Sequence, residues 1–346
     1  MSKVCVVGTT SWGITIAIML ARHGAEVSLW ARTEEEASHM RSKGPDKRIL
    51  GNTTFPSSLN VTSSVDEAVS VADAVVMAVP SQTMRQNIKI VKPYLKANKL
   101  IISAAKGLEI GSHKRMSQVI ADETAQTFHK NICVLSGPNL FREILDGLPA
   151  AAVVAAQNES TALKAQRIFS GPHLAVYTNY DIIGVELGGT LKNIIALGAG
   201  MIDGLGYGDN AKAAFITRGL TEMAAFSVAL GASPLTMSGL AGMGDLVATC
   251  SSSLSRNHYV GMELTKGKKL DEILASMTGI AEGVTTTAVV WTQAQKLMLE
   301  MPITEKIHLV LYENASVRDI IPEILGSACR HELTGRRWKL FRRKQR

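Results

Sequence analysis

The sequence predicts an α/β fold in which a doubly wound sheet is followed by a separate all-helical domain. Short β-branched apolar segments alternate with helical periodicities in the first half of the chain, which is typical of βαβ units. After Asn179 the strand signals stop and long helical periodicities take over. We therefore expect a sheet domain over 1–180, a helical domain over 181–330 and a basic tail over 331–346.

Composition and charge limit the class of protein. With 346 residues, 46% hydrophobic and 19% charged, the chain is globular and long enough for two cores. The net charge of +7 equals the charge of residues 336–346 alone, so the rest of the chain sums to zero. We therefore expect no nucleic-acid partner. Trp338, Leu340 and Phe341 among the tail's charges allow at most a weak contact with an anionic membrane surface.

The cysteines indicate a reducing compartment. Cys5, Cys133, Cys250 and Cys329 are far apart and have no metal-ligand spacing, so we expect free thiols and no metal. The N-terminus runs directly into a strand without room for a signal peptide, and no apolar run reaches the ~18 residues of a membrane helix. These observations predict a cytoplasmic protein.

The first βαβ unit predicts a Rossmann-type dinucleotide site. An apolar strand over 3–8 leads into a glycine turn, a helix and a second strand over 25–31. Gly8 and Gly13 match the first and third glycines of the G-x-G-x-x-G motif, but Thr10 replaces the second. A Cβ at that position is expected to crowd the pyrophosphate unless the turn moves outward.

Arg32 follows the second strand, where NAD-binding sheets usually carry an acidic residue for the ribose 2′-hydroxyl. Arginine cannot accept a hydrogen bond from that hydroxyl, but it pairs well with a 2′-phosphate. The alternative is a solvated arginine at a strand end. We expect NADP(H) to be preferred and NAD(H) to be accepted, with Glu34, Glu35 and Glu36 pointing outward from the next helix.

Polar residues follow the next buried strands, where ligands gather in open α/β sheets. Lys106 follows one strand and residues 136–139 follow another. We expect these residues to contact a ligand, and simple surface turns are the alternative. Two later apolar segments, 150–156 and 174–178, are expected to extend the sheet with mixed strand directions.

The helical half is organised around residues 186–206, an apolar helix that contains Lys192. Its glycines suggest close approach of a neighbouring helix or of a ligand. Lys192 has two interpretations: a core-helix lysine that reaches water, or a desolvated lysine suited to proton transfer. Asp245 fits a helix N-cap or a functional carboxylate. Ser255, Arg256 and Asn257 supply the donors that hold a phosphate.

These motifs together resemble the NAD(P)-dependent glycerol-3-phosphate dehydrogenase family, whose order they follow. The segments that carry the resemblance are Gly8-x-x-Ser11-Trp12-Gly13, Lys106-Gly107-Leu108-Glu109, Ser136-Gly137-Pro138, Leu191-Lys192-Asn193, Gly242-x-Gly244-Asp245-Leu246, Ser255-Arg256-Asn257 and Ala281-Glu282-Gly283. Asn139 and Phe141 depart from the family, which often has a hydroxyl residue and alanine there.

The resemblance implies reduction of dihydroxyacetone phosphate to sn-glycerol 3-phosphate, with Lys192 as the general acid/base. The implied substrate contacts are Lys106, Gly137, Asn139, Lys192, Asp245, Ser255, Arg256 and Asn257. The implied cofactor contacts are Gly8, Ser11, Trp12, Gly13, Arg32, Lys106, Phe141, Arg256, Ile280 and Glu282. A homodimer is compatible with the resemblance. The rival functions are a reductase of another 2-keto or β-hydroxy acid and a dinucleotide-binding protein without turnover.

Overall fold

The computed structural model describes residues 1–326, except for the side chains of residues 48 and 49. The predicted basic tail and Cys329 lie outside the described residues. The chain divides into two compact units. Among the described residues, the first consists of Met1–Lys106 and Lys114–Val185, and the second consists of Gly107–His113 and residues 186–326.

The first unit is built on an eight-stranded sheet. Its strands are Lys3–Val7 (β1), Glu26–Trp30 (β2), Leu59–Thr62 (β3), Ala74–Met77 (β4), Leu100–Ser103 (β5), Ile132–Ser136 (β6), Ala150–Ala156 (β7) and Leu174–Asn179 (β8). Their order is β3-β2-β1-β4-β5-β6-β7-β8, and β6 and β7 pair antiparallel while the other neighbours are parallel. The first six strands have the Rossmann order, with the switch point between β1 and β4. The predicted α/β sheet and its mixed extension are confirmed.

Helices follow or precede most strands of this unit. They are Ser11–Arg22 (α1), Glu34–Lys43 (α2), Lys47–Leu50 (α3), Val65–Ser70 (α4), Met84–Val91 (α5), Met116–Glu123 (α6), Gln126–His129 (α7), Phe141–Leu145 (α8) and Glu159–Phe169 (α9). Both faces of the sheet are buried, because Val4 and Val6 belong to one core cluster whereas Cys5 and Val7 belong to another. This two-sided burial explains why β1 is a continuous apolar run.

The second unit is helical among its described residues. Its helices are Ile182–Gly204 (α10, beginning in the first unit), Gly208–Ala229 (α11), Asp245–Ser251 (α12), Arg256–Thr265 (α13), Leu270–Ser276 (α14), Glu282–Lys296 (α15), Pro302–Tyr312 (α16) and Val317–Gly326 (α17). A π-helical turn over Leu240–Gly244 leads into α12. The all-helical prediction for this half is confirmed.

Helix α10 is the central element of the second unit. A Cβ at Gly200 would lie 2.0 Å from the carbonyl oxygen of His258, so α10 and α13 touch backbone to backbone, as the glycines of α10 suggested. By length and composition α10 is apolar enough to cross a membrane, so the expectation that no apolar run reaches that length is wrong. However, 89% of its most apolar window is buried inside the protein, as in the core helix of a globular domain.

Candidate active site

The centre of the helical unit is a buried ion pair between α10 and α12. The Lys192 ammonium lies 2.6 Å from Oδ1 of Asp245 and 2.5 Å from Oγ1 of Thr249. Lys192 is 7% exposed and Asp245 is 1% exposed. The interpretation in which Lys192 reaches water is therefore wrong, because the counter-charge of its ammonium, Asp245, lies inside the same unit.

Asp245 is not the N-cap that one interpretation predicted. It is the first residue of α12, and the residue before it, Gly244, makes no side-chain capping bond. The carboxylate instead points at Lys192, and Thr249, one turn later, donates to the same Asp245 oxygen at 3.3 Å. A spacing of four residues places Asp245 and Thr249 on one helix face, so α12 holds the ammonium with two oxygens.

This arrangement leaves the lysine able to act on a ligand. An ammonium has three N–H donors, and the contacts to Asp245 and Thr249 use two of them. The third is a charged donor fixed in a desolvated place, where hydrogen bonds and charges act more strongly than in water. Such a group can polarise a carbonyl oxygen and deliver a proton to it.

The Ser255-Arg256-Asn257 segment forms the start of α13. Ser255 is the N-cap, and its hydroxyl accepts from the backbone N–H of His258 at 3.2 Å. Asn257 donates from Nδ2 to Oδ1 of Asn193 and accepts from the N–H of Gly283, both at 2.9 Å. Asn257 thus ties α13 to α10 and to α15, and one amide N–H remains for a ligand. Arg256 is exposed and is the first residue of α13.

His258 fastens the same turn from its other side. Its Nε2 lies 2.7 Å from Oδ2 of Asp203 on α10, and Lys212 on α11 donates to that oxygen at 2.9 Å. The first turn of α13 is therefore held by hydrogen bonds to α10 and α15 before any ligand arrives. This preorganisation reduces the entropy cost of binding an anion there.

Two functional candidates were missed by sequence reasoning. Thr249 holds the Lys192 ammonium, and Asn193 positions Asn257. The signal for Thr249 was its spacing of four residues from Asp245. The signal for Asn193 was an amide at a buried position of an apolar helix, since buried polar side chains need a partner.

The turn between β1 and α1 has the shape of a dinucleotide-binding turn. Gly8 has a φ of +116°, and a Cβ there would lie 2.7 Å from the carbonyl oxygen of Ala78. A Cβ at Gly13 would lie 2.1 Å from the carbonyl oxygen of Gly8, so both glycines are required by close approach. The next residues, Ser11 and Trp12, begin α1, whose first N–H groups have no intrahelical acceptor. The turn therefore fits a pyrophosphate.

Thr10 has a capping role in this turn. Its hydroxyl accepts from the N–H of Gly13 at 3.0 Å and donates to the carbonyl oxygen of Ala78 at 2.9 Å. The side chain is thus bonded to the start of α1 and to the chain just after β4. A glycine at this position would supply neither bond.

The end of β2 differs from the sequence expectation at one position. Arg32 donates from Nη2 to Oδ1 of Asn87 at 3.0 Å. Glu36 does not point outward as expected: it accepts from the Thr9 hydroxyl at 2.6 Å and from the backbone N–H of Arg32 at 3.1 Å. The expectation for Glu36 is wrong because the two donors lie within reach of the first turn of α2 and hold the carboxylate.

The carboxyl ends of β5 and β6 carry further polar groups of the first unit. Lys106 donates to the carbonyl oxygen of Gly137 at 2.9 Å. Both amide atoms of Asn139, and the hydroxyl of Ser136, are buried without a hydrogen-bond partner among residues 1–326. Since an unpaired buried amide is costly, Asn139 is suited to a ligand that would satisfy it. Phe141 begins α8 and packs partly buried against the sheet.

The structure assigns every predicted site residue to one of the two units. The first unit holds Gly8, Ser11, Trp12, Gly13, Arg32, Lys106, Gly137, Asn139 and Phe141. The second unit holds Lys192, Asp245, Ser255, Arg256, Asn257, Ile280 and Glu282. In the second unit Glu282 begins α15, and Ile280 is 48% exposed just before it. Among residues 1–326 no cluster of His, Cys, Asp and Glu is arranged to hold a metal.

Comparison with known proteins gives a consistent result. Residues 3–162 match the model of the NAD-dependent glycerol-3-phosphate dehydrogenase N-terminus, and residues 181–322 match that of its C-terminus. A glycerol-3-phosphate dehydrogenase [NAD(P)+] of Dehalococcoides mccartyi is 58% identical over 343 residues, covering 99% of this chain and 96% of the relative. That of Geobacter metallireducens is 44% identical over 323 residues, covering 93% of this chain and 96% of the relative.

A solved structure shares the fold. The crystal structure of glycerol-3-phosphate dehydrogenase from Coxiella burnetii superimposes with a TM-score of 0.88 at 35% sequence identity. The match covers 94% of this chain and 98% of the Coxiella chain, so both units have counterparts in that structure.

Proposed function

The chain belongs to the NAD-dependent glycerol-3-phosphate dehydrogenase family, and on that premise we propose that it reduces dihydroxyacetone phosphate reversibly to sn-glycerol 3-phosphate. It is an oxidoreductase that uses a nicotinamide dinucleotide. The product is the backbone of glycerophospholipids, so the reaction supplies phospholipid synthesis.

Lys192 is the proposed general acid/base. The reaction adds a hydride to C2 of the substrate and a proton to the C2 oxygen, and a bound nicotinamide supplies the hydride. The Lys192 ammonium donates its spare N–H to that oxygen and then transfers the proton, while Asp245 and Thr249 hold its Nζ in place. The buried Lys192–Asp245 pair is the observation that carries this proposal.

The substrate phosphate is proposed to bind at the start of α13. Arg256 offers a planar cation, and the N-terminal end of α13 adds N–H groups and a positive dipole end. The contacts of Asn257 to Asn193 and Gly283 keep this turn fixed relative to α10, which carries Lys192. Binding energy at the phosphate can therefore be used to orient the reacting carbon.

The rival functions account for less of the site. A reductase of another 2-keto or β-hydroxy acid needs residues that bind the substrate carboxylate. It has no use for the phosphate-binding donors of residues 255–257. A dinucleotide-binding protein without turnover has no use for a paired lysine with a spare donor. The further substrate contacts proposed are Lys106, Gly137 and Asn139, because the Asn139 amide lacks a partner in the described chain.

NADP(H) is proposed as the preferred cofactor, with NAD(H) also accepted. The glycine turn and the start of α1 bind the pyrophosphate shared by both, through Gly8, Ser11, Trp12 and Gly13. Arg32, anchored on Asn87, is the residue that would pair with a 2′-phosphate. Phe141, Arg256, Ile280 and Glu282 are proposed as further contacts. Arg32→Ala is expected to erase the preference in kcat/KM, and a preference that persists would contradict this assignment.

The reaction itself is tested by one assay. Purified protein is mixed with NADPH and either dihydroxyacetone phosphate or unphosphorylated dihydroxyacetone, and NADPH oxidation is followed by absorbance. Turnover with the phosphorylated substrate at a much higher kcat/KM supports the proposal. Equal rates with both substrates, or none with either, would contradict it. A cytoplasmic location and a homodimer remain part of the proposal, and the buried free thiols of Cys5, Cys133 and Cys250 among the described residues favour a reducing compartment.

A further inference from the structure

The carboxylate of Glu36 is docked on the dinucleotide turn. Its Oε1 accepts from the hydroxyl of Thr9, the second residue of the turn, at 2.6 Å. Its Oε2 accepts from the backbone N–H of Arg32, just after β2, at 3.1 Å. Glu36 is half-buried, whereas its neighbour Glu35 is exposed. A negative charge is therefore fixed between the turn and the end of β2.

This place matters because the adenosine ribose of a dinucleotide binds near the end of β2. Glu36 lines a groove of about 1000 Å³ in the first unit, together with Thr9 and Ser11 of the turn. Each carboxylate oxygen accepts one protein hydrogen bond and retains capacity for another. Glu36 can therefore accept from a ribose 2′-hydroxyl, whereas it repels a 2′-phosphate.

Arg32 does not neutralise this carboxylate through its side chain. The guanidinium donates to Asn87, and only the backbone N–H of Arg32 reaches Glu36. Lys43 and Lys47 also line the groove, and so do Glu35 and Asp46, so the other charges among the described side chains that line it are balanced. What distinguishes Glu36 is its pair of hydrogen bonds to the turn and to the strand end.

We propose that Glu36 is a specificity-determining residue that favours the unphosphorylated adenosine ribose and so limits the preference for NADP(H) set by Arg32. The proposal rests on the dinucleotide site of the proposed function. It makes the cofactor choice a balance between two residues at one strand end: Arg32 attracts the 2′-phosphate and Glu36 opposes it.

The test uses two ligand fragments that differ only in the 2′-phosphate, adenosine 2′,5′-bisphosphate and adenosine 5′-monophosphate. Their dissociation constants are measured by calorimetry on the full-length wild type, Glu36→Gln and Glu35→Gln. Glutamine at 36 can keep one accepted hydrogen bond and removes the charge. Glu35→Gln removes the same charge from an exposed neighbour in the same groove. Because this measurement needs no turnover, its outcome does not depend on whether the protein reduces dihydroxyacetone phosphate.

Glu36→Gln is expected to shift the ratio of the two constants about fivefold to tenfold toward the bisphosphate, and the NADPH to NADH ratio of kcat/KM should follow. Glu35→Gln should change the ratio less than twofold, because an exposed charge is screened. Equal shifts in both variants would show that Glu36 acts only through its net charge, as the exposed Glu35 does, and this would overturn the proposal. If Glu36→Gln weakened the binding of both fragments equally, Glu36 would only hold the turn in place, and this too would overturn the proposal.

A second variant covers the case in which Glu36→Gln does not fold. Thr9→Val removes the hydroxyl that anchors the carboxylate and leaves every charge in place. Once released, Glu36 can turn toward solvent, so the ratio should move toward the bisphosphate by a smaller factor, about twofold to threefold. An unchanged ratio in Thr9→Val would show that the anchored position does not matter, which would overturn the proposal as well.

Discussion

Lys192 and Asp245 form a buried ion pair, with Nζ 2.6 Å from Oδ1, although 53 positions separate them in the chain. Moving both charges of such a pair from water into the interior carries a large desolvation penalty. The pair is therefore costly to keep for packing alone, and its spare N–H gives it a chemical use. Thr249 completes the arrangement from the same helix face as Asp245.

Arg256→Ala should weaken the use of the phosphorylated substrate. Loss of the cation at the start of α13 is expected to raise the KM for dihydroxyacetone phosphate and to cost ~2–4 kcal/mol in kcat/KM. The comparison substrate is unphosphorylated dihydroxyacetone, for which the loss should be much smaller. A mutation that harms both substrates equally would show that Arg256 serves the fold or the cofactor alone.

Thr10→Gly restores the common glycine motif and should make the enzyme less stable. The variant loses the bonds from the Thr10 hydroxyl to Gly13 and Ala78, worth about 1–2 kcal/mol together. Because both cofactors share the pyrophosphate, their kcat/KM ratio should stay unchanged. Thermal unfolding is compared with Thr10→Ser, which keeps the hydroxyl. Equal stability of the two variants would remove the capping role.

Glu222 should be a strong stability determinant outside the active site. The side chain is 1% exposed and accepts from the backbone N–H groups of Ile303 and Thr304, at 2.7 and 3.1 Å, at the start of α16. Glu222→Ala leaves these buried donors unpaired, so we expect the free energy of unfolding to fall by about 2–4 kcal/mol. Urea unfolding measures this free energy, and the exposed Glu35→Ala serves as the comparison. A loss below 0.5 kcal/mol, the range of ordinary surface changes, would contradict the capping role.

The described cysteines should be unreactive in the native protein. Burial raises the pKa of the Cys250 thiol, and likewise that of Cys5, to about 12, and it raises the pKa of Cys133 as well. At pH 8 almost no thiolate is present, so iodoacetamide should leave all three unmodified until urea unfolds the chain. Peptide mass spectrometry locates the modification. Rapid labelling of Cys250 in the folded enzyme would refute this.

Much of the fold followed from sequence patterns that reflect burial. The β1 run and the helical periodicity of α10 were clear because both faces of the sheet and nearly all of α10 are covered. Lys192 and Asp245 were recognised as candidates, but their pairing depends on how α10 and α12 pack, which local spacing does not encode. For the same reason the capping bonds of Thr10 and the inward turn of Glu36 were not predicted.

The most direct test of the account is the effect of Lys192→Met on turnover. Methionine keeps a similar length and removes the donor, so kcat for dihydroxyacetone phosphate should fall by roughly 10²–10⁴. The dissociation constant of NADPH, measured by fluorescence, should stay nearly unchanged. Lys266→Met is the control: Lys266 is an exposed lysine outside the proposed site, and its partner Glu263 keeps a second ion pair with Lys268, so this variant should retain full activity. A Lys192→Met enzyme that keeps most of its turnover would contradict the assignment of Lys192 as the proton donor.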